Sequence, residues 1–328
     1  MHLDPFELHL PRTLEEVMEL ARRYEGQFDY LAGGTDLLPN YKMHLNPRAH
    51  LIALDRVEGL DRIDPGEGRL GAMVRLARLE EAPVGLDGSF PGLLTAVREV
   101  ATPLVRASAT VGGNLLLETR CFFFNQSRFW RESLGYCLKA EGSVCHVVPQ
   151  RERCYATFSG DLAPILLVLG ARVELVHPQG AREIPLNELY DPTGDGIRRT
   201  RLRPGELLVA VRVPPEGRTL RATYRKLRVR PAFDFPELGV AVALESEGER
   251  VRRLHVAIGG VETYPRLMDR ETAPVWGETL TPDRLRSLCE SVSRAVRPVH
   301  NTYFPPDYRK KMVGVFLRRA VEALGRAG

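Results

Sequence analysis

Leu31-Ala32-Gly33-Gly34-Thr35-Asp36-Leu37 is the stretch on which the fold of this 328-residue chain turns. It follows a short apolar run, Phe28 to Leu31, which the pattern predicts as a strand. Paired glycines after a strand let backbone N–H groups converge and approach an anion closely. Thr35 adds a hydroxyl donor. A second turn of the same kind occurs at Ser108-Ala109-Thr110-Val111-Gly112-Gly113-Asn114. Neither is G-x-G-x-x-G and neither is a Walker loop, so a Rossmann or P-loop unit is excluded. Two such turns in one domain suit a ligand with two phosphates, held from both sides.

Working outward, Thr13-Leu14-Glu15-Glu16 reads as a capping box. Leu14, Val17, Met18, Ala21 and Tyr24 continue it at helical spacing. His50 to Leu54 is a second strand, which completes a small α/β unit of about 55 residues. A strand is expected near Leu70 to Val74 and a helix near Leu93 to Val100. Asp161-Leu162-Ala163-Pro164 starts an apolar helix reaching Leu169, followed by strands at Arg172 to Val176 and Leu207 to Val213. Pro214-Pro215-Glu216-Gly217 is the boundary signal. Beyond it, Ala222 to Arg228, Leu238 to Leu244 and Val251 to Ile258 read as strands, and Pro282 to Val296 and Pro306 to Leu324 as helices. Strands followed by helices make the C-terminal part α+β. The expected division is 1–56, 57–215 and 216–328.

The net charge of +4 is small for this length and gives no argument for nucleic acid. The first residues, MHLDPFELHLPRTLEEV, carry early acids and no long apolar core, unlike a signal peptide. No run of about 18 apolar residues occurs, so no membrane span is expected. The expected compartment is the cytoplasm, where thiols stay reduced and clustered cysteines favour metal or redox chemistry over disulfides.

That chemistry centres on residues 118–157. Cys121, Cys137, Cys145 and Cys154 fall within 34 positions as C-x15-C-x7-C-x8-C, and only Cys289 lies elsewhere. A loop this long inside a domain needs something to tie it down. Thiolates suit zinc or the iron of a cluster. Zinc knuckles of C-x2-C type and ferredoxin spacing are both absent. The residues alone leave open a wrapped four-iron cluster, a structural zinc, or four unrelated cysteines. His146 is either a substitute ligand or an exposed loop histidine. Cys289, on an expected helix, reads as an ordinary buried thiol.

Two further residues have double readings. Asp161 could accept hydrogen bonds from a sugar or ring, or cap its helix. Lys226, one of five lysines, could face a ligand or sit at the surface.

Taken together, Leu31 to Leu37, Thr110 to Asn114, Asp161 to Pro164 and Ala257-Ile258-Gly259-Gly260-Val261 resemble the FAD-binding medium subunit of molybdenum hydroxylases, the xanthine dehydrogenase family. The resemblance runs over nearly the whole chain. It implies an α+β protein: a two-part vanillyl-alcohol-oxidase-type FAD-binding domain, then a CO-dehydrogenase-flavoprotein-like C-terminal α+β domain. Most members run almost directly from the second turn to the Asp-Leu-Ala-Pro segment, whereas about 40 residues intervene here. That insertion is similar to the β subunits of 4-hydroxybenzoyl-CoA reductases. The matching pieces are Thr119-Arg120-Cys121, Phe124-Asn125-Gln126-Ser127, Gly135-Tyr136-Cys137-Leu138-Lys139, Cys145-His146-Val147 and Arg153-Cys154-Tyr155-Ala156. Lys226-Leu227-Arg228 and Phe233-Asp234-Phe235-Pro236 match downstream.

Carried over by position, the resemblance assigns Leu31, Ala32, Gly33, Gly34, Thr35, Asp36 and Leu37 to the FAD pyrophosphate. It makes Thr110, Gly113 and Asn114 the opposite wall, and lays Asp161, Leu207 and Lys226 along the adenosine or flavin. It makes Cys121, Cys137, Cys145 and Cys154 ligands of a [4Fe–4S] cluster. Its implied partners are a large molybdenum-cofactor subunit and a small subunit with [2Fe–2S] clusters, in a dimer of heterotrimers, with a ferredoxin-like electron donor. The implied reaction is reductive dehydroxylation of 4-hydroxybenzoyl-CoA to benzoyl-CoA on the large subunit. This chain would supply cofactor sites and no catalytic acid, base or nucleophile. Other aryl-CoA or N-heterocycle substrates, and a non-redox scaffold stapled by zinc, are the competing expectations.

Overall fold

The computed structural model describes residues 2–81 and 86–325. Its first sheet is parallel, in the order β1-β3-β2, from β1 (Glu7–His9), β2 (Phe28–Leu31) and β3 (His50–Ala53). Parallel strands need crossovers: the helix Leu37–Lys42 lies in the one from β2 to its neighbour β3, and the helix Leu14–Arg23 in the one from β1 to β2. Thr13 Oγ1 caps it by accepting from Glu16 N–H at 3.2 Å. Glu16 reaches back to the N–H of Arg12, one residue earlier than a regular capping box would place it.

The second sheet is antiparallel, ordered β4-β5-β8-β6-β7, from β4 (Ile63–Asp64), β5 (Arg69–Gly71), β6 (Arg172–His177), β7 (Gly180–Pro185) and β8 (Leu207–Arg212). The third is ordered β12-β11-β10-β9, from β9 (Arg221–Leu227), β10 (Leu238–Glu247), β11 (Arg250–Gly259) and β12 (Arg266–Leu267). The expected strand at Leu70 stops at Gly71, where the chain turns and Val74 N–H bonds back to Gly71 O.

The helix Leu162–Val168 is buried on every side. It can be apolar all round because it lies between the second and third sheets, sharing one core with Leu70, Val173 and Val211 on one side and Ala241, Ala243 and Ala257 on the other. The alternate residues of β10, Val240 and Val242, face a second core. There they meet Leu288 and Val292 of the helix Pro282–Ala295, and Val313 and Leu317 of the helix Pro306–Gly325. Small residues on one face of β10 and branched ones on the other let a helix approach closely on one side and fill space on the other. Cys289 is buried in this second core, as expected.

The cysteine segment is irregular except for the helix Arg128–Ser133, whose cap is Ser127 Oγ accepting from Trp130 N–H at 3.3 Å. Among the described residues, no helix is long and apolar enough to cross a membrane.

Candidate functional site

The two glycine turns meet. A methyl at Gly33 would sit 2.0 Å from the Ser108 carbonyl oxygen, so only glycine lets the first turn lie against the second. Gly34 has φ +70°, which a side chain would strain. Thr110 Oγ1 accepts from Gly113 N–H at 3.1 Å and opens the helix Val111–Leu115. A methyl on Gly113 would meet only Thr110 Oγ1, at 3.0 Å, and the Ala32 side chain, at 3.9 Å. Gly113 therefore stands next to the first turn, beside Ala32. The two glycine-bearing segments thus lie against each other, with only the small Ala32 side chain near Gly113, and backbone N–H groups brought together this way suit an anion. Leu207 is buried in the apolar cluster of Val17, Ile52 and Met73 against which Ala32 packs.

Asn114 links these segments to the next motif. Its Oδ1 accepts from Leu162 N–H at 2.9 Å, occupying a donor at the helix start. Asp161 makes no side-chain cap. Instead its carboxylate accepts from Tyr224 Oη at 2.8 Å and from Lys226 Nζ at 2.9 Å. Lys226 also donates to the Glu99 carbonyl at 2.8 Å. The surface reading of Lys226 and the capping reading of Asp161 are both corrected: long-range packing of β9 on the helix Leu162–Val168 buries the pair together. Burial pushes the Asp161 carboxyl and the Tyr224 hydroxyl upward, while Lys226 opposes the shift on Asp161. The fourth motif joins here, because a methyl on Gly259 would lie 2.7 Å from the Pro164 ring.

The cysteine segment folds around one small hollow of about 10 Å³. Cys121, Cys137, Cys145 and Cys154 all line it, and all are buried. Burial pushes the Cys121 thiol up to about 11 and the Cys154 thiol to about 12. Phe124 N–H points at Cys121 Sγ (3.3 Å) and Ala156 N–H at Cys154 Sγ (3.4 Å), donors that stabilise bound thiolates. His146 is half-buried at this hollow, with Nε2 2.6 Å from the Tyr136 carbonyl, rather than an exposed loop residue.

Several residues without an assigned role in the sequence tie the two sites together. Arg120, directly before Cys121, forms an ion pair with Asp36 of the first turn. Its guanidinium also covers the Phe235 ring at 4.7 Å. Glu118 N–H donates to Asp36 Oδ2 at 3.4 Å. The Glu118 carboxylate holds Lys139 at 2.7 Å and also pairs with Arg199. Burial alone would raise Glu118, but Arg199 and Lys139 outweigh it and draw it down to about 2. The position of Arg120 directly before Cys121 was a signal available in the sequence. Arg199 comes from a distant loop and had none.

Comparison with known proteins fits this geometry. Residues 4–216 match the family described as the FAD-binding domain in molybdopterin dehydrogenase. Residues 222–324 match the CO dehydrogenase flavoprotein C-terminal domain. The chain is 37% identical over 265 residues to the aldehyde oxidoreductase FAD-binding subunit PaoB of Escherichia coli K12, covering 77% of this chain and 80% of that one. It is 27% identical to the carbon monoxide dehydrogenase medium chain of Afipia carboxidovorans, covering 97% and 96%. The crystal structure of a Cu,Mo-CO dehydrogenase superposes with a TM-score of 0.79 at 25% identity, covering 98% of both chains. This chain belongs to the FAD-binding medium subunits of the xanthine dehydrogenase, or molybdenum hydroxylase, family. The expected α+β architecture, with a FAD-binding domain followed by a CO-dehydrogenase-flavoprotein C-terminal domain, is the one observed.

Proposed function

We propose that this chain is an electron-transfer subunit that carries FAD between its glycine turns and a [4Fe–4S] cluster on Cys121, Cys137, Cys145 and Cys154. The observation that carries the reading is the convergence of four buried thiols on one hollow, within a chain whose first turn is tied to the same loop by Arg120 and Asp36. Among the described residues, no three of these sulfurs come within 4.8 Å of one another. A single tetrahedral zinc, with bonds of about 2.3 Å, would draw its sulfurs to about 3.8 Å. The wider spread of the sulfurs favours a polynuclear centre over a zinc staple.

FAD, when bound, exchanges electrons singly or in pairs, so it joins one-electron carriers to a two-electron reaction. The chain's own residues set its position. Leu31 to Leu37 and Thr110, Gly113 and Asn114 form the pyrophosphate cleft, Asp161 and Lys226 fix the wall beside it, and Leu207 supports its floor. Lys139 lines the hollow beside Phe124, its ammonium held there by the Glu118 carboxylate. The same reading divides the chain into flavin-binding parts at 1–56 and 57–215 and a C-terminal domain at 216–328. It places the protein in the cytoplasm within a complex containing a molybdenum-cofactor subunit and a [2Fe–2S] subunit.

Two reactions fit the complex. The cysteine insertion resembles that of 4-hydroxybenzoyl-CoA reductases, in which two electrons and two protons enter and the ring hydroxyl leaves as water. The 37% identity to an aldehyde oxidoreductase subunit favours the opposite flow, from aldehyde and water to acid, two electrons and two protons. Assay of the whole complex separates them. Turnover of 4-hydroxybenzoyl-CoA with a strong artificial donor supports the first. Aldehyde-dependent reduction of an acceptor dye supports the second. Iron and acid-labile sulfide near four per chain, with flavin absorbance, support the shared electron-transfer reading, and colourless protein with one zinc sinks it.

A further inference from the structure

Strand pairing at the outer edge of the first sheet gathers three metal-binding side chains that are far apart in sequence. β1 runs parallel to β3 with Glu7 opposite His50. Residues two apart on a strand share a face, so Glu7 and His9 stand on the side where His50 projects. His9 Nε2 lies 3.2 Å from His50 Nδ1, and Glu7 Oε2 lies 3.4 Å from the same nitrogen. One ligand atom from each of the three residues falls within a common span of 4.8 Å. A tetrahedral cation with bonds of about 2.0–2.1 Å to nitrogen and oxygen holds its ligand atoms about 3.4 Å apart. The protein already has nearly that spacing.

The imidazoles are also held in place. The Tyr24 ring, at the end of the helix Leu14–Arg23, stacks on both, with centroids 3.8 Å from His50 and 4.8 Å from His9. The His9 and His50 side chains are 11% and 16% exposed, whereas Glu7 is 61% exposed. Two stacked, mostly buried imidazoles and one exposed carboxylate thus meet at the sheet edge. Two imidazoles with a carboxylate suit a borderline-soft ion, whereas calcium and magnesium favour all-oxygen shells.

We propose that Glu7, His9 and His50 bind one divalent cation of the zinc class, with a fourth position open to water. Bound there, the ion clips the three-residue edge strand β1 to β3. The site is separate from the flavin cleft and the cysteine hollow and does not depend on either.

The test uses the full FAD-loaded chain, stripped of loosely held metal with a chelator and titrated with Co²⁺ as the probe, then with Zn²⁺. The expected result is one equivalent of Co²⁺ whose visible bands lack thiolate charge transfer and which Zn²⁺ displaces. Affinity should fall at least about tenfold in His9→Ala, His50→Ala and Glu7→Gln, and stay unchanged in Cys137→Ala. Glu7→Gln alters an exposed side chain, so its loss of binding is not a loss of fold. Unchanged affinity in Glu7→Gln and His50→Ala overturns the proposal. So does a signal that carries thiolate charge transfer and disappears in Cys137→Ala, or the lack of any saturable nitrogen- and oxygen-type signal.

Discussion

Lys226 Nζ lies 2.9 Å from Asp161 Oδ2, with the two side chains 0% and 4% exposed. The pair joins the C-terminal sheet to the helix that follows the second glycine turn, so it couples the C-terminal sheet to the wall of the proposed flavin cleft. A buried pair contributes little net stability over an apolar substitute, but breaking it leaves one charge without a partner.

Lys226→Met should therefore destabilise the chain by about 3–5 kcal/mol. The double variant Asp161→Asn/Lys226→Met should recover part of that loss, giving a coupling energy in a urea-denaturation cycle. If Lys226 also touches FAD, both variants lose FAD affinity at temperatures where they remain folded. Additive losses would contradict the coupling.

Gly33→Ala and Gly113→Ala separate folding from binding. The first places a methyl against the Ser108 carbonyl and should cost about 1–3 kcal/mol by forcing the turns apart. The second places its methyl beside Ala32 and 3.0 Å from Thr110 Oγ1, free of any backbone clash. It should leave thermal unfolding of the FAD-free chain nearly unchanged while lowering FAD affinity by at least about tenfold, roughly 1.4 kcal/mol, measured by fluorescence quenching.

Cys137→Ala should abolish the iron and sulfide content while FAD remains, because the glycine turns lie outside the cysteine segment. Cys289→Ala, buried in the C-terminal core, should keep both. Arg120→Met is the informative intermediate: its tie to Asp36 predicts weaker FAD binding with the cysteine site still loaded. Iron analysis and flavin absorbance on the same samples check all three.

Glu118 gives a pH dependence with a definite sign. Its carboxyl is drawn from 4.5 to about 2 in the folded chain, so the folded state holds the charged form more strongly than the unfolded state does. The resulting stability is fully present above about pH 4.5 and is lost as pH falls toward 2. It is of the order of 3 kcal/mol. Glu118→Gln should be destabilised by that order at pH 7, with the gap to wild type closing over this interval in urea-denaturation midpoints.

Much of the site was legible in the order of residues because its determinants are local. Gly33-Gly34 announces a turn that a side chain would block and Thr110 announces a helix cap, whereas Gly112-Gly113, expected as a second turn, stands inside the short helix Val111–Leu115 that Thr110 opens. The strand β10 showed in its apolar run from Leu238 to Leu244, which is buried on both faces. The alternating small and branched residues of β10 explain why a simple half-buried pattern was absent. The short helix Arg128–Ser133 was not legible, since a single turn fixed by Ser127 leaves no period to detect.

By itself the sequence determined the α+β class, the two glycine turns and the grouping of four cysteines, because backbone freedom, capping and side-chain period act over a few residues. Only the tertiary structure decided that Lys226 is buried on Asp161 rather than exposed. It alone placed Arg120 and Glu118 between the first turn and the cysteine hollow, and stood Glu7, His9 and His50 together on one face. These relationships join residues between 41 and 84 positions apart in the chain. Burial and charge pairing at such separations depend on how sheets and helices stack, which no local pattern of residues encodes.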